Sequence, residues 1–113
     1  MHEMSLCESV LQIVEEEAAK QSFNKVKWLQ LEIGVLAGVE IEAMRFCFDA
    51  VSRNSLLEGA VLDIVQPDGE AWCMPCGKTI LMQERYQPCP ECGSYPLQVT
   101  GGDEMRVKQL EVE

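Results

Sequence analysis

The chain has 113 residues, 47% of them apolar, and carries 19 acidic and 9 basic side chains for a net charge of −10. That length fits one ordinary domain or two very small ones, and the charge argues against a nucleic-acid partner, which needs a basic face. No apolar run is long enough to span a bilayer, and no charged segment followed by an apolar one opens the chain as a signal peptide would.

Met1-His2-Glu3 comes first. Ser5-Leu-Cys-Glu8 then fits a capping box, in which the hydroxyl accepts from an orphan amide and the Glu8 carboxylate reaches back to the Ser5 amide. A helix is predicted from there to about Lys20. Leu6, Val10, Ile13 and Val14 form its apolar stripe, with Cys7, Leu11 and Ala18 beside them. Residues 26–33 read as a strand with Leu29, Leu31 and Ile33 on one face. Gly34 and Gly38 mark a loop. A second helix over 41–52 buries Ile41, Met44, Cys47, Phe48 and Val51, with Glu40 and Glu42 at its positive end. Residues 60–65 read as a third strand. Pro67-Asp-Gly69 is a boundary signal.

Next come Cys73-Met-Pro-Cys76, twelve residues, and Cys89-Pro-Glu-Cys92. Two Cys-x-x-Cys turns at that distance bring four sulfurs together as a tetrahedral site, the arrangement of a closed structural zinc centre. Two disulfides, or the iron of a rubredoxin, are the other readings of four such cysteines. Six cysteines without an export signal point to a reducing cytoplasm, where paired thiols hold metal. Residues 79–82 and 97–99 are short strand candidates. Residues 105–113 read as one more strand, with a phase shift near Lys108-Gln109 that suggests a bulge or an edge.

That last strand decides the predicted architecture. A module that has closed at Cys92 has no use for it, whereas the sheet of the earlier strands does. The expectation is an α+β domain, with a sheet of about three strands packed with two helices and an inserted zinc-ribbon-like β module. Residues 1–69 and 103–113 form the first part, with 16 acidic and 7 basic residues; residues 70–102 form the metal module, with 3 and 2. A module of about 30 residues has little core, so metal binding must stabilise it.

No catalytic site is expected. His2 is the single histidine, and a penultimate residue is a poor base for a hydrolase. There is no phosphate-binding loop and no dinucleotide fingerprint. As a ligand His2 is well placed, because the Met1 α-amine, the His2 amide nitrogen and the imidazole close fused chelate rings on one ion. Planar nitrogen donors select Ni(II) or Cu(II) over zinc, and Glu3 is a candidate axial or orienting carboxylate. The competing reading is a solvated terminus. For Glu40 the plain role is helix-dipole stabilisation, and for Cys47 a buried, inert thiol. Function at this point stands between a terminal Ni(II)- or Cu(II)-binding site and a zinc-ribbon interaction adaptor without nickel transfer.

Met1-His2-Glu3 before a capped helix, Leu31-Glu-Ile-Gly34, the helix around Phe46-Cys-Phe48 and the two Cys-x-x-Cys pairs together resemble the HypA/HybF family of hydrogenase nickel-insertion proteins. The resemblance covers the whole chain. It implies a cytoplasmic metallochaperone, not an enzyme, that delivers nickel to the large subunit of nickel–iron hydrogenase. It also implies work beside a nickel-binding GTPase, HypB, and in some organisms support of urease maturation. On this resemblance nickel is held by Met1, His2 and Glu3, with Glu40 as the counterpart of an assisting acidic residue. Zinc on Cys73, Cys76, Cys89 and Cys92 is structural. Both a monomer and a homodimer fit the sequence, and the hinge at residues 67–69 permits domain exchange.

Overall fold

A computed structural model describes residues 2–95 and 98–113. In chain order it contains α1 (His2–Gln21), β1 (Val26–Ile33), α2 (Ile41–Ser52), β2 (Val61–Val65), β3 (Gly69–Cys73), β4 (Lys78–Met82), β5 (Gln98–Gly101) and β6 (Met105–Val112). The strands make two three-stranded sheets, ordered β2-β1-β6 and β4-β3-β5. The expected α+β class holds, and the closing strand does join the sheet of the earlier strands. Among the described residues no helix is long and apolar enough to cross a membrane.

The chain divides into two compact units. The first comprises Met1–Leu31, Val39–Asp63 and Val107–Glu113; the second comprises Glu32–Gly38 and Ile64–Arg106. The second therefore holds residues 32–38, 64–69 and 103–106 in addition to the module drawn from the cysteine spacing.

In the first unit, α1 buries Glu3, Cys7, Val10 and Val14. Their 3-7-10-14 spacing is one helical face. Ile13, placed in the stripe by sequence, flanks that face and is 46% exposed. The helix starts at His2, so Ser5 lies inside it and is exposed, and the expected capping box gives way to a different device. The Glu3 carboxylate accepts a hydrogen bond of 3.2 Å from the amide of Glu40, the N-cap residue of α2. One turn further on, Cys7 Sγ lies 3.5 Å from the Met44 carbonyl oxygen. Both contacts span 37 residues, so α1 and α2 run parallel with their N-termini side by side. Beneath them β1 buries Val26, Leu29 and Leu31, and α2 adds Met44, Cys47 and Phe48.

In the second unit, β3 is the central strand. It pairs antiparallel with β4, Ala71 opposite Ile80, and with β5, Ala71 opposite Val99. Sequence reading places no strand at β3. Of the expected strand at 97–99, Leu97 lies outside the described residues. Inward residues alternate along β3, so Gly69, Ala71 and Cys73 are buried while Glu70 and Trp72 face out. Ala71, Cys73, Ile80, Met82, Cys89 and Leu36 form the core.

Gly102 closes this unit. Its carbonyl accepts from the Leu36 amide at 2.7 Å, its φ is +75°, and a Cβ there would overlap the Asp68 carbonyl oxygen. At Gly38 φ is +72° but a Cβ meets nothing within 4 Å. Gly38→Ala therefore carries the left-handed backbone cost alone, about 1–2 kcal/mol, whereas Gly102→Ala adds a backbone clash and is expected to lose about 3 kcal/mol or more. Urea unfolding of both variants at one fixed zinc concentration measures the difference; equal losses would remove the close-approach argument.

Candidate metal sites

Two turns of one design present the cysteines. Cys73 ends β3, and the turn back to β4 is closed by the Gly77 amide donating to the Cys73 carbonyl at 2.8 Å. The second turn repeats this bond, Gly93 to Cys89, at 2.8 Å. Both glycines have positive φ, +64° and +74°, which lets each chain curl back under its sulfurs.

The four Sγ atoms lie within 4.8 Å of one another. Cys73 to Cys92 is 3.6 Å and Cys76 to Cys89 is 3.9 Å. A tetrahedron with metal–sulfur bonds of about 2.3 Å has edges of about 3.8 Å, so the quartet has the size of a zinc tetrathiolate. These separations are far longer than a disulfide bond of about 2.05 Å, and all six cysteines are free. Cys73 and Cys89 are buried, Cys76 is half-buried and Cys92 is exposed.

The protonation of the quartet makes the same point. The Ser94 hydroxyl, 3.1 Å from Cys92 Sγ, and the Ser94 amide bring the Cys92 thiol down to about 6. Hydrogen bonding with Cys92 and then Cys73 pushes the Cys76 thiol up to about 12. Shared hydrogen bonds thus move these two thiols in opposite directions when no metal is bound. Four thiolates at this spacing require a cation among them. A salt bridge of 2.7 Å between Lys78 and Glu91 links the two turns. Sequence reading did not select Ser94, Lys78 or Glu91. Their signal was available in their positions, two residues after a cysteine or between two of them.

At the other candidate site, His2 stands in the first turn of α1 with its side chain 55% exposed. Its Nδ1 is 3.6 Å from a carboxylate oxygen of Glu3, whose side chain is 8% exposed. The same oxygen takes the hydrogen bond from the Glu40 amide, and that bond holds the Glu3 carboxyl below its usual range against the opposing pull of burial. Glu40 thus enters through its backbone, and its side chain is exposed. Met1 lies outside the described residues. The first amides of a helix have no intrahelical acceptor, so the His2 and Glu3 nitrogens are not committed to the α1 ladder. Among the described residues, the cysteine quartet is the group of three or more His, Cys, Asp or Glu side chains with ligating atoms close enough to share an ion. His2 and Glu3 are a pair. Cys7 is buried against Met44, 3.6 Å from its sulfur, and burial raises its thiol to about 11.

Comparison with known proteins places these features. A family model described as hydrogenase/urease nickel incorporation, metallochaperone, matches residues 1–112. The hydrogenase maturation factor HypA of Azotobacter chroococcum is 58% identical over 113 residues, all of both chains. That of Albidiferax ferrireducens is 60% identical over the same span. The solution structure of the nickel metallochaperone HypA from Helicobacter pylori superposes with a TM-score of 0.72 at 30% identity, covering 99% of this chain and 97% of that one. The chain, with its sulfur quartet and its His2–Glu3 helix start, therefore belongs to the HypA family of hydrogenase/urease nickel-incorporation metallochaperones.

Proposed function

We propose that this chain carries Ni(II) at its N-terminus and hands it over during maturation of nickel–iron hydrogenase. The ligands are the Met1 amine, the His2 amide nitrogen and the His2 imidazole, with Glu3 orienting the imidazole. The observation that carries this reading is the exposed His2 ring beside a buried Glu3 at a helix start. Nitrogen donors of that kind suit Ni(II), whereas a borderline-soft ion with four thiolates suits zinc. Glu40 acts by holding Glu3 through its amide, which makes its own carboxylate dispensable as a ligand. The zinc of Cys73, Cys76, Cys89 and Cys92 is structural, since four protein ligands leave no open position for cargo. Residues 70–102 serve as the zinc-binding domain, and residues 1–69 with 103–113 as the nickel-binding one. The partners are the nickel-binding GTPase HypB and the hydrogenase large subunit, with urease maturation proteins as a further set, and the place of work is the cytoplasm.

His2→Ala is expected to weaken nickel binding by at least about a hundredfold, as losing a ligand costs more than losing a supporting group. Zinc content and melting temperature stay unchanged. Calorimetric nickel titration of untagged protein, with zinc measured alongside, reads both; stoichiometric nickel on His2→Ala would overturn the assignment.

Cys73→Ser removes a buried ligand that is also a core residue. The expected outcome is zinc loss to a chelator that leaves the parent protein loaded. The second unit should melt more than about 10 °C lower, because metal binding supplies much of a small module's folding free energy. Zinc analysis and thermal melts after dialysis test this; a variant that keeps one zinc per chain would show that Cys73 is not a ligand.

A further inference from the structure

Phe46 stands on α2 between residues the core uses. Met44, Cys47 and Phe48 are 0–6% exposed, while Phe46 is 76% exposed. An aromatic ring left in water forgoes one of the larger gains that folding offers. On the same helix face, at i−4 and i+3, stand Glu42 and Asp49, both exposed, and Asp49 pairs with Arg53 at 3.4 Å. The parallel pairing of α1 with α2 at an offset of 37 puts the exposed Glu8 of α1 about level with Phe46 and the exposed Gln12 level with Asp49. The unit that carries this ring holds 12 acidic and 6 basic residues.

From these observations we infer that Phe46, with its flanking carboxylates, is the anchor of a docking surface for a basic protein segment. This inference rests on the proposed nickel transfer and names the surface that transfer uses. The occupant is a segment that lays an Arg or Lys side chain on the Phe46 ring, a cation–π contact, and sets further cations against Glu42 and, in exchange for its exposed pair with Arg53, Asp49. Charge complementarity selects it, since an acidic surface draws basic partners and repels acidic ones. Its position suits handover. Phe46 is six residues along α2 from Glu40, about 9 Å at the helical rise, and Glu40 is the residue that pins Glu3 beside His2. A partner held on Phe46 presents its neighbouring side chains close to the imidazole that carries the cargo.

The test measures binding of untagged, zinc-loaded chain to the nickel-binding GTPase and to the hydrogenase large-subunit precursor, by biolayer interferometry at several salt concentrations. The variants are Phe46→Ala and Asp49→Lys. For the partner that docks here, Phe46→Ala is expected to lose at least about tenfold in affinity, as central aromatic anchors do. Asp49→Lys lowers the association rate several-fold and flattens its salt dependence. Both variants keep the parent's melting temperature and nickel affinity, which separates lost docking from lost folding. If the parent binds a partner and both variants bind it equally well, the inference is wrong and the nickel-carrier reading stands. If the parent binds neither partner while His2 still holds nickel, the transfer reading and this surface fall together.

Discussion

Four sulfurs within 4.8 Å of one another are the constraint on which the second unit depends. Among the described residues, Cys73 and Cys89 share one small buried cluster with Leu36, Ala71, Ile80 and Met82. So small an apolar set buries too little area to fold the unit unaided. At its centre four thiols meet that cannot all ionise together. A dication among them turns that repulsion into the strongest attraction the unit has. The glycine-closed turns and the Lys78–Glu91 bridge hold the sulfurs at the edge lengths such an ion needs.

A different link organises the start of the first unit. Glu3 is a carboxylate with 6% exposure, and an unpaired charge so placed would be costly. It is satisfied by the Glu40 amide and faces the His2 ring. Both helices begin there, so their positive ends meet at one carboxylate, which favours its ionised form. Glu3 thereby orders a chain start that would otherwise fray. It also leaves the His2 ring exposed.

Local signals were legible in the sequence and distant ones were not. The quartet reads directly because each Cys-x-x-Cys turn is a local structure and the spacing between turns is short. β1 reads as well, since Leu29, Leu31 and Ile33 alternate and all are buried. β3 was hidden: its inward residues are a glycine, an alanine and a cysteine, while its bulky residue, Trp72, faces out. Periodicity follows size and hydrophobicity, and here both point the wrong way. Ile13 was misplaced for a related reason, since a stripe 100° wide leaves room for a residue at its margin. The Glu3–Glu40 bond joins two acids 37 residues apart, each of which reads by itself as an ordinary charge at a helix start.

The two candidate sites differ in what release of their ion would require. The proposed zinc ligands come from two turns with twelve residues between them, and two of the four are in the core. Opening that site means unfolding the unit that the ion stabilises, so loss of zinc is tied to loss of structure. The proposed nickel ligands are consecutive in the chain and precede the first buried hydrophobic residue of α1. Their ion can leave by rotation of one exposed ring and reprotonation of one amide, with the α1–α2 packing intact. On the proposed reading, thiolates anchored in a core retain an ion, and exposed nitrogens at a helix start exchange one. Retention and exchange would then be kept apart, each with its own unit and its own donor atoms.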